Sequence, residues 1–523
     1  MAKSIKKGPI VLLILDGWGI APESESNPIS QTELPNFDKL FASGQSTRLW
    51  AHGEYVGLPK DQDGNSEAGH LNLGAGRVVK QDAVIITESI SDGTFFKNGA
   101  FMEAIQHVKR NNSSMHLMGL LSDGQSAHST PKHLYALLKL LHEERVEHVY
   151  IHLFTDGRDS TPQSGKGLYK DLSEKLHPGQ QVASIIGRFY GMDRTKRWNR
   201  TNLAYGAIVE GIGIKIENPE HVFDQSYAAG LTDEYINPHV IHNQGKPIGL
   251  VSENDSIISF NHRSDRARQL AKVFVQEEFV AMNRSAFERG ASIKNLRFVA
   301  MSDFGPDLGD ILTAYPSKDL IQTLPMVLSK MSQLYIAETE KYAHITYFFN
   351  GGYADPVGGE SRIMVNSPNV KHYDDIPGMS TDKIAKKATE SILNGEYEFI
   401  TANIACLDMI AHTGNFDASQ VALRSVDSAL GKIMNAITKM KGILMVTADH
   451  GNIEEMRDLS TSEMDTEHSK NHVPFVIIGH DVQLTGLREE GMLGDVAPTV
   501  LDTMNIQKPK EMTGKSLFKG SKP

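Results

Sequence analysis

Residues Ile10–Gly19 read IVLLILDGWG, six aliphatic residues closed by an aspartate and a glycine-containing turn. A short, continuous apolar run bounded by turn residues is the signature of a strand buried on both faces. The same phrase recurs along the chain as SSMHLMGLLSDG, HVYIHLFTDGRD, QVASIIGRFYG, SIISFNHRSDRAR, LRFVAMSDFG, AHITYFFNGG, FITANIACLD, ILMVTADHGN and VPFVIIGHD. Between these runs lie segments such as PKHLYALLKLLHEE and QVALRSVDSALGKIMNAITKM, whose apolar residues recur at helical spacing. Alternating strands and helices predict an α/β fold with parallel sheets covered on both faces. In such sheets ligands bind at the carboxyl ends of the strands, so the polar clusters that close each run are candidate site residues.

The chain has 523 residues, more than one ordinary core supports, so two domains are expected, with boundaries near Val79–Ser89 and Leu312–Leu324. The net charge of -11 argues against nucleic-acid binding, which needs a basic footprint. Two segments are nonetheless locally basic, GRFYGMDRTKRWNR (Gly187–Arg200) and HRSDRAR (His262–Arg268), and they suit a small anionic substrate. The basic and then apolar N-terminus mimics a secretion signal, but Asp16 interrupts the apolar run. No run approaches the length that spans a bilayer. With one cysteine, Cys406, no intrachain disulfide can form. A cytoplasmic protein is expected, without membrane or nucleic-acid partners. The GAG of NLGAGRVV lacks a third glycine and a preceding strand, so it is no dinucleotide fingerprint.

Metal-binding chemistry stands out at the strand ends. Asp16 closes LILDGWG, and TADHGN supplies Asp449 and His450. LDMIAHTG places Asp408 and His412 four residues apart, on one face of a helical turn. TEHSKNHVP offers His468 just before an apolar run. Mixed carboxylate and imidazole donors without thiolate suit Mn, Zn, Co or Fe, and in part Mg. Ser66, in DGNSEAGH, sits among glycines but not in the G-x-S-x-G elbow of serine hydrolases. A divalent cation bound to its hydroxyl would make it a nucleophile toward a phosphoryl group without a triad histidine.

Taken together, LDGWG, DGNSEAGHLNLGAGR, LSDG with His128, DGRDSTP, GRFYGMDRTKRW, HRSDRARQ, AETEKYAHITYFFNGG, LDMIAHTG, TADHGN and HSKNHVP resemble the cofactor-independent (2,3-bisphosphoglycerate-independent) phosphoglycerate mutases of the alkaline phosphatase superfamily. The segments run in that family's order over essentially the whole chain. The resemblance implies an alkaline-phosphatase-like α/β metal domain, residues 1–80 and 319–523, and an inserted α/β phosphotransferase domain, residues 81–318. It implies two divalent ions, Mn foremost with Mg, Co or Zn possible. Asp408, His412 and His468 would hold one ion, and Asp16, Ser66, Asp449 and His450 the other. Ser66 would be phosphorylated transiently, with Lys341 adding positive charge beside the transferring group. Arg263 and Arg266 would clamp phosphate, while His128, Arg158, Asp159, Arg188 and Arg194 would grip glycerate, with Asp159 exchanging its protons. The activity so implied is an isomerase reaction of glycolysis and gluconeogenesis, 3-phosphoglycerate to 2-phosphoglycerate, in a monomer. Closure of the two domains would keep water from a phosphoserine.

The chain departs from the family pattern in places. SDGQSAHST stands where SDGGVHSH is usual, His472 replaces a proline, HRSDR replaces FRPDR, and alanine replaces valine in GNSEAGH. A superfamily phosphohydrolase, or a related phosphosugar mutase with another substrate, would share the metal motifs. A Ser-Glu-His arrangement of Ser66, Glu67 and His70 is disfavoured; Gly64 and Gly69 are expected to permit the turn, and Asn65 and His70 to bond to backbone. Asp427 is expected as a helix-surface carboxylate and Cys406 as a packed side chain.

Overall fold

The computed structural model describes residues 8–305, 307–308, 311–317, 319–461, 463–479 and 486–521. The chain divides into two compact α/β units, Met1–Gln81 with Asp319–Pro523, and Asp82–Lys318. Among the described residues no helix is long and apolar enough to cross a membrane.

The first unit is built on an eight-stranded sheet. Its order is Ser361–Val365, Gln333–Glu338, Phe399–Ile404, Ile10–Leu15, Ile443–Thr447, Val473–Gly479, Gln45–Trp50 and Glu490–Met492. Ile10–Leu15 is fully buried and pairs in parallel with strands on both sides, Leu15 opposite Ile404 and Ile14 opposite Thr447. The sheet is not wholly parallel as expected. Val473–Gly479 runs antiparallel to both of its neighbours. That reversal has a positional effect: the beginning of this strand, rather than its end, lies at the rim where the parallel strands finish. The loop before it therefore reaches the same rim as Asp16 and Asp449.

The second unit has a nine-stranded sheet whose central members, Ser256–Ser259, Met115–Leu121, Val149–Thr155 and Gln180–Gly187, are adjacent and parallel. Beyond them His239–Asn243 is antiparallel. Separate apolar clusters cover the faces of this sheet, one around Leu137, Ile151 and Phe260, the other around Trp198, Phe274 and Ile257.

All but one of the apolar runs read as strands are strands. The exception is AHITYFFNGG, in which His344–Phe348 form a π-helical turn just after the 3-10 turn Thr339–Lys341. Ile345 and Phe349 are buried while Tyr347 is exposed, a helical burial pattern that overrides the β-rich composition. The strand of this region is Gln333–Glu338, one turn upstream. Asp427 is also a correction. It is buried, and its carboxylate accepts from the backbone N–H groups of Asn36 and Phe37 at 3.0 and 2.9 Å, capping the helix Pro35–Ser43.

Candidate active site

The loops that close the strands of the first unit bring Asp16, Asp408, Asp449, His450 and Lys341 together in the interior, all nearly or fully buried. Ser66 joins them as the first residue of the helix Ser66–Ala75, whose N-cap is Asn65; the Asn65 side chain accepts from the backbone N–H of Ala68 at 2.9 Å. The helix can lie against the Asp449 turn because residue 69 is glycine. A Cβ there would stand 2.5 Å from the Asp449 carbonyl oxygen. Gly69 thus serves close approach rather than a turn. Gly17, at φ +78°, makes the turn after Asp16 and donates its N–H to Oδ1 of Asp449 at 3.2 Å.

The Ser66 hydroxyl lies 2.7 Å from Nζ of Lys341, 2.9 Å from Nε2 of His450 and 3.3 Å from Oδ1 of Asp16. Lys341 also contacts Oδ1 of Asp16 at 2.6 Å and Oδ2 of Asp408 at 2.7 Å. Burial works against its charge, but the carboxylates of Asp16, Asp408 and Asp449 outweigh it and hold the ammonium above its ordinary range. Burial, reinforced by Asp449, raises the Asp16 carboxyl. Asp408 is held well below the usual range, because Lys341 and the imidazoles of His412 and His468 overcome its burial.

The histidines are oriented from behind. Nδ1 of His412 donates to the Thr466 carbonyl at 2.7 Å, Nδ1 of His468 to the Gly64 carbonyl at 2.8 Å, and Nδ1 of His450 to the Gly451 carbonyl at 3.2 Å. Each ring therefore turns its Nε2 toward the centre, the nitrogen left to hold a metal ion. Nε2 of His412 and Nε2 of His468 are 3.1 Å apart and lie 3.3 and 3.2 Å from Oδ1 of Asp408. Two lone pairs so close require a positive species between them, a proton or a metal ion. Donor atoms of Asp408, His412 and His468 fall within 4.8 Å of one another, as do those of Asp16, Asp408 and His450, and those of Asp16, His70 and Asp449. Oδ2 of Asp449 is buried with no aligned hydrogen-bond donor. With one lysine facing three buried carboxylates, this donor set fits divalent cations.

His70 backs the cluster, with Nδ1 3.2 Å from Oδ2 of Asp449. Its Nδ1 donates to the Ser66 carbonyl at 2.9 Å, and its Nε2 accepts from Asn403 at 3.0 Å. The same amide donates to Oδ2 of Asp16 at 2.7 Å. His472 lies against Trp50, ring centroids 3.7 Å apart, and belongs to none of the donor groups. Cys406 is buried, and burial pushes its thiol up to about 12.

The second unit gathers the remaining candidates at the ends of its four central strands. Arg188, directly after Gln180–Gly187, is buried and ion-paired to Asp156 and, at 2.8 Å, to Asp159. Ser126 donates to the same Oδ2 of Asp159 at 2.7 Å. Burial alone would raise Asp159, but Arg188 and Ser126 hold it below its usual range. Burial pushes His128 down to about 4, leaving a neutral imidazole. Asp265 is a hub: Arg194 reaches it at 2.5 Å, Arg263 at 3.3 Å and Nδ1 of His128 at 3.6 Å. Arg266 donates to the Met192 carbonyl at 3.4 Å; burial and the charges of Arg194, Arg188 and Arg158 lower its pKa. Arg158 lies 3.6 Å from Glu234. The cluster is a concentration of guanidinium groups suited to a small polyanion.

A family model described as the BPG-independent PGAM N-terminus matches residues 86–306, within the second unit. The 2,3-bisphosphoglycerate-independent phosphoglycerate mutase of Moorella thermoacetica is 45% identical over 516 residues, covering 98% of this chain and 98% of its own. The chain belongs to that family. The enzyme of the same name from Clostridium novyi is 44% identical, over 98% of this chain and all of its own. The fold agrees as well: a crystal structure of Leishmania mexicana phosphoglycerate mutase at low cobalt concentration superposes with a TM-score of 0.75 and 26% identity over 98% of each chain. A member of this family is an isomerase.

Sequence reading did not reach Asn403, Asn452, Glu454 or Asp265. Asn452 donates to Oδ1 of Asp408 at 2.9 Å, and Asn403 to Asp16. The only signal for Asn403, Asn452 and Asp265 was residence in the strand-end clusters FITANIACLD, TADHGN and HRSDR, and Glu454 lies outside them.

Proposed function

We propose that the chain interconverts 3-phosphoglycerate and 2-phosphoglycerate, independently of 2,3-bisphosphoglycerate, through a phosphoserine at Ser66. The observation that carries this reading is the setting of one hydroxyl, with Lys341 at 2.7 Å, His450 at 2.9 Å and Asp16 at 3.3 Å. Ser66 also begins a ten-residue helix, so unpaired N–H groups and the positive end of the dipole favour a phosphate there.

Asp408, His412 and His468 would hold one divalent cation, and Asp16, Ser66, Asp449 and His450 the other, with Mn foremost and Mg, Co or Zn acceptable to the same donors. Such ions supply acidity to the serine hydroxyl and offset the phosphate's negative charge. The chain's residues do the rest. Nε2 of His450 and Nζ of Lys341 border Oγ at 2.9 and 2.7 Å and fix its position, while the Lys341 ammonium neutralises charge on the phosphoryl group. Oγ bonds to phosphorus as the bond to the 3-oxygen of the substrate breaks. In the return step the 2-oxygen of glycerate bonds to phosphorus and Oγ leaves. The proton gained by the 3-oxygen matches the one lost by the 2-hydroxyl, and Asp159, held ionised by Arg188 and Ser126, is assigned to that exchange. Arg263 and Arg266 bind the substrate's phosphate, and His128, Arg158, Arg188 and Arg194 its carboxylate and hydroxyls. A cytoplasmic monomer is proposed with this activity.

The test is to incubate purified protein with 3-phosphoglycerate alone and follow phosphorus NMR. 2-Phosphoglycerate should appear, chelation should stop the reaction, and restored Mn should restart it. Free phosphate without 2-phosphoglycerate would replace the mutase with a phosphohydrolase, and a need for 2,3-bisphosphoglycerate would reject the proposal.

A further inference from the structure

Glu454 is a buried carboxylate that the chemistry above does not use. It shares a loop with His450, and its two oxygens accept hydrogen bonds from that loop and two others. Oε2 accepts from the backbone N–H of Gly19 at 2.8 Å and of Asn452 at 2.9 Å. Oε1 accepts from the Ser469 hydroxyl and, at 3.0 Å, from the amide of Asn471. Those loops are the ones that carry the candidate ligands: Asp16 precedes Gly19, His450 precedes Asn452, and His468 precedes Ser469. The carboxylate also shapes the sequence around it. A Cβ at residue 19 would stand 2.1 Å from Oε1, and one at residue 451 would stand 2.4 Å from it, so both positions are glycine.

We propose that Glu454 is a positioning residue that clasps these three loops and thereby sets the spacing of Asp16, Asp449, His450 and His468 for divalent metal binding. The inference rests on the reading that these residues hold metal. Asn452 extends the clasp, because its side chain donates to Oδ1 of Asp408 while its backbone donates to Glu454. All four groups on Glu454 are donors. A carboxylate satisfies them, whereas a carboxamide of the same shape turns an NH2 toward one pair.

The experiment measures Mn binding by calorimetry to the chelator-stripped full chain, together with its melting temperature without metal. Glu454→Gln should stay folded and bind Mn roughly 10- to 100-fold more weakly, the range for partners that orient ligands. Glu454→Asp, which keeps the charge, should recover part of that loss. Ser469→Ala removes one donor and leaves the carboxylate; it should weaken binding a few-fold and keeps the test open if Glu454→Gln does not fold. Mn affinity within twofold of the parent in Ser469→Ala, or in folded Glu454→Gln, would overturn the clasp even if the metal-free melting temperature fell, since that pattern is merely structural. Failure of the parent chain to bind Mn, Co, Zn or Mg would instead sink the metal reading on which the inference stands.

Discussion

The two charged clusters of this chain are built on opposite plans. In the first unit Asp16, Asp408, Asp449, His450 and Lys341 are shielded from solvent, and each imidazole is fixed from behind by a backbone carbonyl. In the second unit the Arg158 and Arg194 side chains remain about half exposed, at 54% and 49%, and their partners are the carboxylates of Glu234 and Asp265. A reacting hydroxyl gains from fixed surroundings, because charge developing in the transition state then costs no rearrangement. A recognition cluster gains from partners that a substrate's own anions can replace. Asp265, shared among Arg194, Arg263 and His128, is such a replaceable anion.

The contrast can be broken most severely at Ser66. Ser66→Ala removes the only group assigned to accept phosphorus, so turnover should fall by on the order of 10⁵-fold or more. The fold and Mn binding by Asp408, His412 and His468 should survive, the first checked by circular dichroism and the second by calorimetry. Residual activity near the parent's would show that the buried cluster is not where the covalent step occurs.

Arg266→Lys probes the other plan. It keeps the charge and discards the planar fork, so KM should rise by roughly tenfold while kcat changes less. Steady-state kinetics decide it, and an unchanged KM would remove Arg266 from the recognition cluster.

The smallest effect concerns acid. Beside the arginines lie buried imidazoles that the fold keeps neutral. Burial, with His133 and His128 adding to it, lowers His262 to about 3, and burial lowers His133 to about 4. In the unfolded chain both would take up protons near pH 6.5. Stability is therefore fully present above pH 6.5 and falls as the pH drops toward 4, by at most about 1.4 kcal/mol per pH unit for each group. His262→Gln should flatten that slope by up to one group's share, measured by hydrogen exchange of the strands Met115–Leu121 and Ser256–Ser259 between pH 7 and 5. An unchanged slope would contradict the assignment.

Much of this was legible in the chain because a strand followed by a polar cluster is a local pattern. Asp16, Asp449 and His450 were found at strand ends for that reason. What escaped depends on partners far away in the sequence. Glu454 meets Gly19 across 435 positions, and Asp427 meets Asn36 across 391, so neither role leaves a local trace. The reversed direction of Val473–Gly479 is equally invisible in an apolar run. AHITYFFNGG was misread because β-rich composition was heard above the burial spacing of Ile345 and Phe349.

The neighbours of the first strand carry one more consequence. Ile10–Leu15 leaves the ribosome well before the two strands it sits between, Phe399–Ile404 and Ile443–Thr447. Until those strands are made this hydrophobic ribbon lacks both neighbours, and the intervening unit can fold while it waits. A premature stop before residue 443 would leave that ribbon without one of its two neighbours, and such fragments should need chaperones to stay in solution.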